Sequence, residues 1–111
     1  VAALAHHEAD ITDPGTLDGL FREQWDAVIN AAAVCDFDRC ENDPLSTGRI
    51  NLDAPLDIAR RCDAQGATFV QFSSDYIFGG EIRRALSEED QAKPLSVYGE
   101  QKAALERDIP R

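Results

Sequence analysis

The sequence predicts an α/β fold in which a parallel sheet alternates with helices, and three observations carry that prediction. Residues 26–33, Asp-Ala-Val-Ile-Asn-Ala-Ala-Ala, hold an apolar core with no in–out alternation, as a strand covered on both faces requires. Ile50, Ala54, Ile58 and Cys62 recur at spacing four, the period of one helix face. Between and after them come further short apolar runs, so the order reads strand, strand, helix, strand, helix, strand, loop, helix. Strands that alternate with helices imply parallel pairing through right-handed crossovers.

Taken in order, Val1 to Ala5 reads as a short buried strand or the tail of one, and Asp10-Ile11 as the end of a second. Thr12 or Asp13 caps a helix with Pro14 in its first turn, running to about Gln24 through Leu17, Leu20 and Phe21. After the 26–33 strand, residues 36–44 read as charged and irregular. A helix then spans 45–64, with Pro55 expected to kink it and Gly66 to end it. Residues 67–74 form a strand that ends in the hydroxyls of Ser73 and Ser74. Gly79-Gly80 breaks the chain, residues 81–95 form a polar loop, and Ser96 caps a last helix to about Asp108. No internal repeat, low-complexity tract or linker interrupts this order, so the 111 residues read as one domain or part of one.

Composition narrows the function. A hydrophobic share of 43% suits a folded chain. The formal net charge of −10 opposes phosphate backbones, which argues against nucleic-acid binding. No run approaches the roughly 20 apolar residues of a membrane span, and no signal peptide is visible, so no membrane association is expected. Three cysteines, Cys35, Cys40 and Cys62, make no disulfide framework and fit a reducing, cytoplasmic setting. They lack the second Cys/His pair that a zinc site needs. His6 and His7, adjacent on a strand, would point to opposite faces, so no metal is expected.

In open α/β sheets, ligands lie outside the carboxyl ends of the strands. Those ends carry Asp10-Ile11, the small residues Ala31, Ala32 and Ala33, and Ser73-Ser74-Asp75-Tyr76. Small residues admit a flat ligand close to the backbone; hydroxyls and an acid offer directional hydrogen bonds. Tyr98 and Lys102 are one helical turn apart and share a face. An ammonium beside a phenol favours phenolate and lowers its proton affinity, making Tyr98 usable in general acid–base chemistry, with Ser74 holding a substrate oxygen.

These pieces together resemble the dTDP-4-dehydrorhamnose reductase family of extended short-chain dehydrogenases. The matching stretches are ADITDP (9–14), DAVINAAAVCDFDRCENDP (26–44), INLDAPLDIA (50–59), GATFVQFSSDYIFGG (66–80) and SEEDQAKPLSVYGEQKAALE (87–106), of which SSDYIFGG is the most specific. The resemblance implies a partial Rossmann-like, doubly wound sheet. It implies catalysis by Ser74, Tyr98 and Lys102, with Ser74 on the sugar C4 carbonyl, Tyr98 as proton donor and Lys102 on the nicotinamide ribose. Asp10 and Ile11 match positions near the adenine; Ala31 to Ala33, Val34 and Cys35 match the cofactor-contacting strand end. Asp75 and Tyr76 match substrate contacts.

The implied reaction is reduction of a 4-keto sugar nucleotide by NADPH or NADH, within dTDP-rhamnose and polysaccharide biosynthesis. The implied partner is the sugar nucleotide alone, and the full-length protein admits a homodimer. The glycine-rich strand–turn–helix that cradles a pyrophosphate is absent from these residues, as is the family's C-terminal part. The chain therefore reads as an interior segment, expected to be inactive and of doubtful stability alone. His6-His7, with no acid for a ribose 2′-hydroxyl, leans toward NADP. Ser74 stands where the bacterial enzymes commonly have Thr, which keeps the hydroxyl.

Two alternatives stand beside the reductase: a non-catalytic, NADP-binding regulatory subunit similar to the beta subunit of methionine adenosyltransferase, and another sugar-nucleotide epimerase or dehydratase. Arg60-Arg61, Arg83-Arg84 and Glu88-Glu89-Asp90 read as surface and loop charges.

Overall fold

A computed structural model describes residues 2–80 and 84–110. The elements in chain order are α1 (Pro14–Leu20), β1 (Ala27–Asn30), α2 (Phe37–Asn42), α3 (Pro44–Gly48), a π-helical turn (Arg49–Asp53), α4 (Ala54–Gln65), β2 (Thr68–Gln71), a 3-10 turn (Asp75–Ile77) and α5 (Val97–Asp108). The fold is α/β. β1 and β2 pair in parallel, with Ala27 opposite Thr68 and Asn30 opposite Gln71, and the α2–α3–α4 run makes the crossover.

α1 starts where expected: the Asp13 carboxylate accepts from the Gly15 and Thr16 amides, and Pro14 fills the first turn. It ends at Leu20 rather than near Gln24. Two side chains take the carbonyls the helix would need: Trp25 Nε1 donates to Leu20 O at 2.9 Å, and Gln65 Nε2 to Phe21 O at 2.8 Å. Residues 36–44, expected to be irregular, instead hold α2 and the start of α3. Asp36 caps the first by accepting from the Arg39 amide, and Asp43 caps the second.

The expected single helix over 45–64 is two α-helices, α3 and α4, joined by the π turn. Pro55, which has no N–H to donate, directly follows the π turn, where the hydrogen-bond register is already shifted: the Ala54 N–H reaches back five residues to Arg49 O. Gly66 closes α4 at φ 71°, a left-handed position that favours glycine.

The expected strands at 1–5 and 10–11 are corrections. Val1 lies outside the described residues. Residues 2–5 are irregular and lead into a turn, with Glu8 N on Ala5 O at 2.8 Å. Asp10 and Ile11 belong to the turn before α1. A strand needs a partner for its N–H and C=O groups, and among the described residues β1 and β2 pair with each other.

The core sits between one sheet face and two helices. Leu17, Ile58 and Cys62 are buried there, with Ile11, Leu20, Phe21, Val28, Ala67 and Phe69 packed around them. The other sheet face carries Ile29 and Val70, which are exposed, Ile29 at 66%. Arg61 ties α4 to α1, reaching Asp18 at 2.8 Å and Asp57 at 3.0 Å. Arg84 pairs with Asp90, which also accepts from the Ser87 amide at 2.8 Å, so that acidic cluster shapes a loop. Arg83 lies outside the described residues. No helix among the described residues is long and apolar enough to cross a membrane, and no group of three or more potential metal ligands forms among them.

Candidate active site

The site gathers where β1 and β2 end and α5 begins. Ser96 caps α5 by accepting from the Gly99 amide at 3.1 Å, which starts the helix at Val97, the residue before Tyr98. One turn on, Lys102 lies on the same face. Both side chains are buried, at 6% and 3% exposure, although each is polar. The Lys102 ammonium donates to Phe72 O, just past the end of β2, at 3.0 Å and stands 5.8 Å from the Tyr98 ring centre. Burial lowers the proton affinity of Lys102.

Ser74 caps the 3-10 turn, accepting from the Tyr76 amide at 3.3 Å and approaching Asp75 Oδ1 at 3.4 Å. That turn is pressed against α5 at Gly99: a β-carbon there would collide with the Tyr76 carbonyl and come within 3.0 Å of Pro94 Cβ. Glycine is therefore required by close approach, not by its backbone angles. Phe37, from α2, closes the remaining side. Its ring meets Tyr98 edge-on at 5.3 Å and Tyr76 at 4.6 Å.

The end of β1 is held by buried amides. Asn30 Nδ2 donates to Gln71 Oε1 at 2.8 Å, and Asn30 Oδ1 accepts from the Ala32 amide at 3.1 Å. Asn51, on the π turn, clamps Val34 at both backbone groups: Oδ1 accepts from its N–H at 2.8 Å and Nδ2 donates to its C=O at 3.0 Å. The same Asn51 amide reaches Gln101 Oε1 at 2.8 Å; Gln101 in turn donates to Thr47 Oγ1 at 3.0 Å. A chain of satisfied buried groups thus runs from the β1 end to α5.

Cys35, next to the clamped Val34, is exposed, and its sulfur lies 3.7 Å from Tyr98 Oη. Ala31 and Ala32 are also exposed, as the small-residue ledge requires, with Ala33 and Val34 half-buried.

The phenol differs from the expectation. Its pKa is not lowered but pushed up to about 12, first by burial and then by Cys35, with the Ser74 hydroxyl pulling the other way. Desolvation of the phenolate is the largest cause in this structure.

The structure therefore joins Ser74, Asp75, Tyr76, Tyr98, Lys102 and Cys35 in one region. Asp10 is engaged elsewhere, accepting from Thr12 N at 2.9 Å and Thr12 Oγ1 at 2.7 Å, and Ile11 packs on the core. Sequence reasoning missed Phe37, Asn51, Gln101 and Gly99. Signals existed for two of them: a polar Asn51 beside an apolar helical row, and a glycine inside a helix, where it costs roughly 1 kcal/mol unless packing needs it.

Comparison with known proteins bears on the chain as a whole. A probable low-salt glycan biosynthesis reductase of Haloferax volcanii is 38% identical over 104 residues, 93% of this chain and 35% of that protein. The dTDP-4-dehydrorhamnose reductase of Streptomyces griseus is 36% identical over 98% of this chain and 36% of its own length. The chain thus spans about a third of the length of these relatives. Among solved structures, a dTDP-4-dehydrorhamnose reductase of Clostridium acetobutylicum superposes with a TM-score of 0.92 at 32% identity, over 98% of this chain and 39% of that one. The Bacillus anthracis dTDP-4-dehydrorhamnose reductase in complex with NADP gives 0.89 at 25% identity, over 96% and 38%. The partial Rossmann-like sheet expected from the sequence is thereby that of these reductases. The family model described as the RmlD substrate binding domain matches residues 1–111, and the chain belongs to that family.

Proposed function

We propose that this chain carries the proton-donating half of an NADP(H)-dependent reductase acting on a 4-keto sugar nucleotide. The observation that supports it most is the burial of Tyr98 and Lys102 on one face of α5, with Ser74 opening the adjacent turn. Two polar side chains are withdrawn from water beside the ends of the strands, where ligands of such sheets lie.

The residues present fit part of the cofactor. Ala31 and Ala32 leave the β1 end open to a flat ring, and the Lys102 ammonium uses one of its three donors on Phe72 O, leaving others for ribose hydroxyls. Asp10 and Ile11 are assigned to the adenine side. A related reductase solved with NADP, and a Pseudomonas aeruginosa protein solved with NADPH, favour the phosphorylated cofactor. When bound, NADPH supplies the hydride.

The chain's own residues do the rest. Ser74 Oγ donates to the sugar C4 carbonyl oxygen and Asp75 and Tyr76 orient the sugar. As hydride reaches C4, that oxygen gains the basicity of an alkoxide and takes the proton from Tyr98 Oη. A phenol held protonated up to about 12 stays loaded at neutral pH and is still a far stronger acid than the alcohol it forms. Lys102, over the ring, then offsets the phenolate charge. The test is NADPH and NADH oxidation by the full-length protein with dTDP-4-keto-6-deoxy-L-mannose, beside Tyr98→Phe. Turnover that the variant loses supports the reading; NADPH binding without turnover turns it toward a regulatory subunit.

A further inference from the structure

Cys35 sits at a place where a side chain touches the reacting oxygen. Its sulfur is 3.7 Å from Tyr98 Oη, a distance that suits a hydrogen bond to sulfur. The position is built. Val34, the preceding residue, is held at both N–H and C=O by the buried Asn51, and the Cys40 thiol adds a contact to Val34 O at 3.6 Å. The Tyr98 ring cannot swing away, because Phe37 meets it edge-on and Gly99 seats its helix against the Tyr76 carbonyl. The phenol oxygen and the thiol are thus fixed against each other by two separate elements, the β1 end and α5.

We propose that Cys35 is a positioning residue for the proton donor: its sulfur accepts the phenol hydrogen bond, keeps Tyr98 in its proton-bearing state, and yields that bond when a substrate carbonyl oxygen arrives. This rests on the reductase reading for its purpose, but not for the pairing itself. A bond donated by the neutral phenol disfavours its ionisation. The other groups facing Tyr98 are the Cys40 thiol, which acts in the same direction, the Ser74 hydroxyl, which opposes it, the Lys102 ammonium over the ring, and the Tyr76 phenol, 6.4 Å away centre to centre. Cys35 is the second cause of the raised proton affinity after burial.

The experiment uses the full-length protein labelled with tyrosine carrying carbon-13 at the ζ position. The Tyr98 signal is assigned by its loss in Tyr98→Phe and followed through alkaline pH in wild type, Cys35→Ala and Cys35→Ser. Because Cys35 is exposed, neither substitution disturbs the core. Ionisation of Tyr98 is expected to move to lower pH in Cys35→Ala, and less far in Cys35→Ser, which keeps an acceptor oxygen in place of the sulfur. An unmoved or higher titration in Cys35→Ala overturns the proposal. In parallel, the pH profile of keto-sugar reduction is recorded: its alkaline limb should move down with the phenol. Loss of turnover in the wild type would sink the reductase reading while leaving the titration to decide Cys35; turnover with an unmoved titration would do the reverse.

Discussion

Individual side chains decide whether the α5 face works. Tyr98→Phe keeps the ring against Phe37 and removes the proton-bearing hydroxyl, so keto-sugar reduction by the full-length protein should fall by two or more orders of magnitude, about the size of a general-acid contribution. Steady-state NADPH oxidation reads this directly, and near-wild-type turnover would remove Tyr98 from the chemistry. The same phenol sets an alkaline limit on stability. The folded state holds its proton more tightly than the unfolded chain, so its contribution is intact below the ordinary value of 10.0 and is lost as pH rises through about 12. Lys102, shifted down by burial, acts in the opposite sense below its ordinary 10.5. Denaturant midpoints of wild type against Tyr98→Phe across that window separate the two, and parallel curves would contradict the burial argument. Asn51→Leu should cost about 3 kcal/mol, because it takes the partner from the half-buried Val34 N–H and C=O and from the buried Gln101 amide oxygen.

Elements were legible to different depths. The caps were readable: Asp13 and Ser96 carry side-chain oxygens immediately before a helical pattern and cap as expected. Asp13→Ala should lower stability by about 1 kcal/mol in chemical denaturation. Where helices ended was less readable, since α1 stops on the indole of Trp25 and the amide of Gln65, the latter far along the chain. The π turn was hidden because its residues keep a helical hydrophobic period while its hydrogen bonds shift. Of the site, Tyr98, Lys102 and Ser74 were visible through type and spacing, whereas Phe37 enters only through three-dimensional ring packing. Gly99 links the two kinds of information. Gly99→Ala should push the Asp75–Ile77 turn off α5 and cost about 2 kcal/mol by overpacking, and it should raise the KM for the keto sugar by displacing Ser74. Unchanged stability and KM would show that the turn can shift freely.

At the scale of the whole molecule, charge and topology dominate. A formal charge of −10 on so small a chain means repulsion spread over the surface. Stability should rise with added sodium chloride as the screening length shrinks below about 10 Å, and a flat response in denaturant titrations would show the acids to be locally compensated. The expected strands at 1–5 and 10–11 failed at this scale, because whether an apolar run becomes a strand depends on a neighbour that its own residues do not specify.

The pairing of β1 with β2 also has a consequence during synthesis. Asn30 and Gln71 stand 41 residues apart in the chain yet lie side by side in register. At roughly 5–20 residues per second, β1 leaves the ribosome some seconds before its partner exists. Through that interval β1 lacks its β2 partner, while α2 to α4 are already being made. β1 therefore waits for β2, and slowing of translation between the two strands would lengthen that wait.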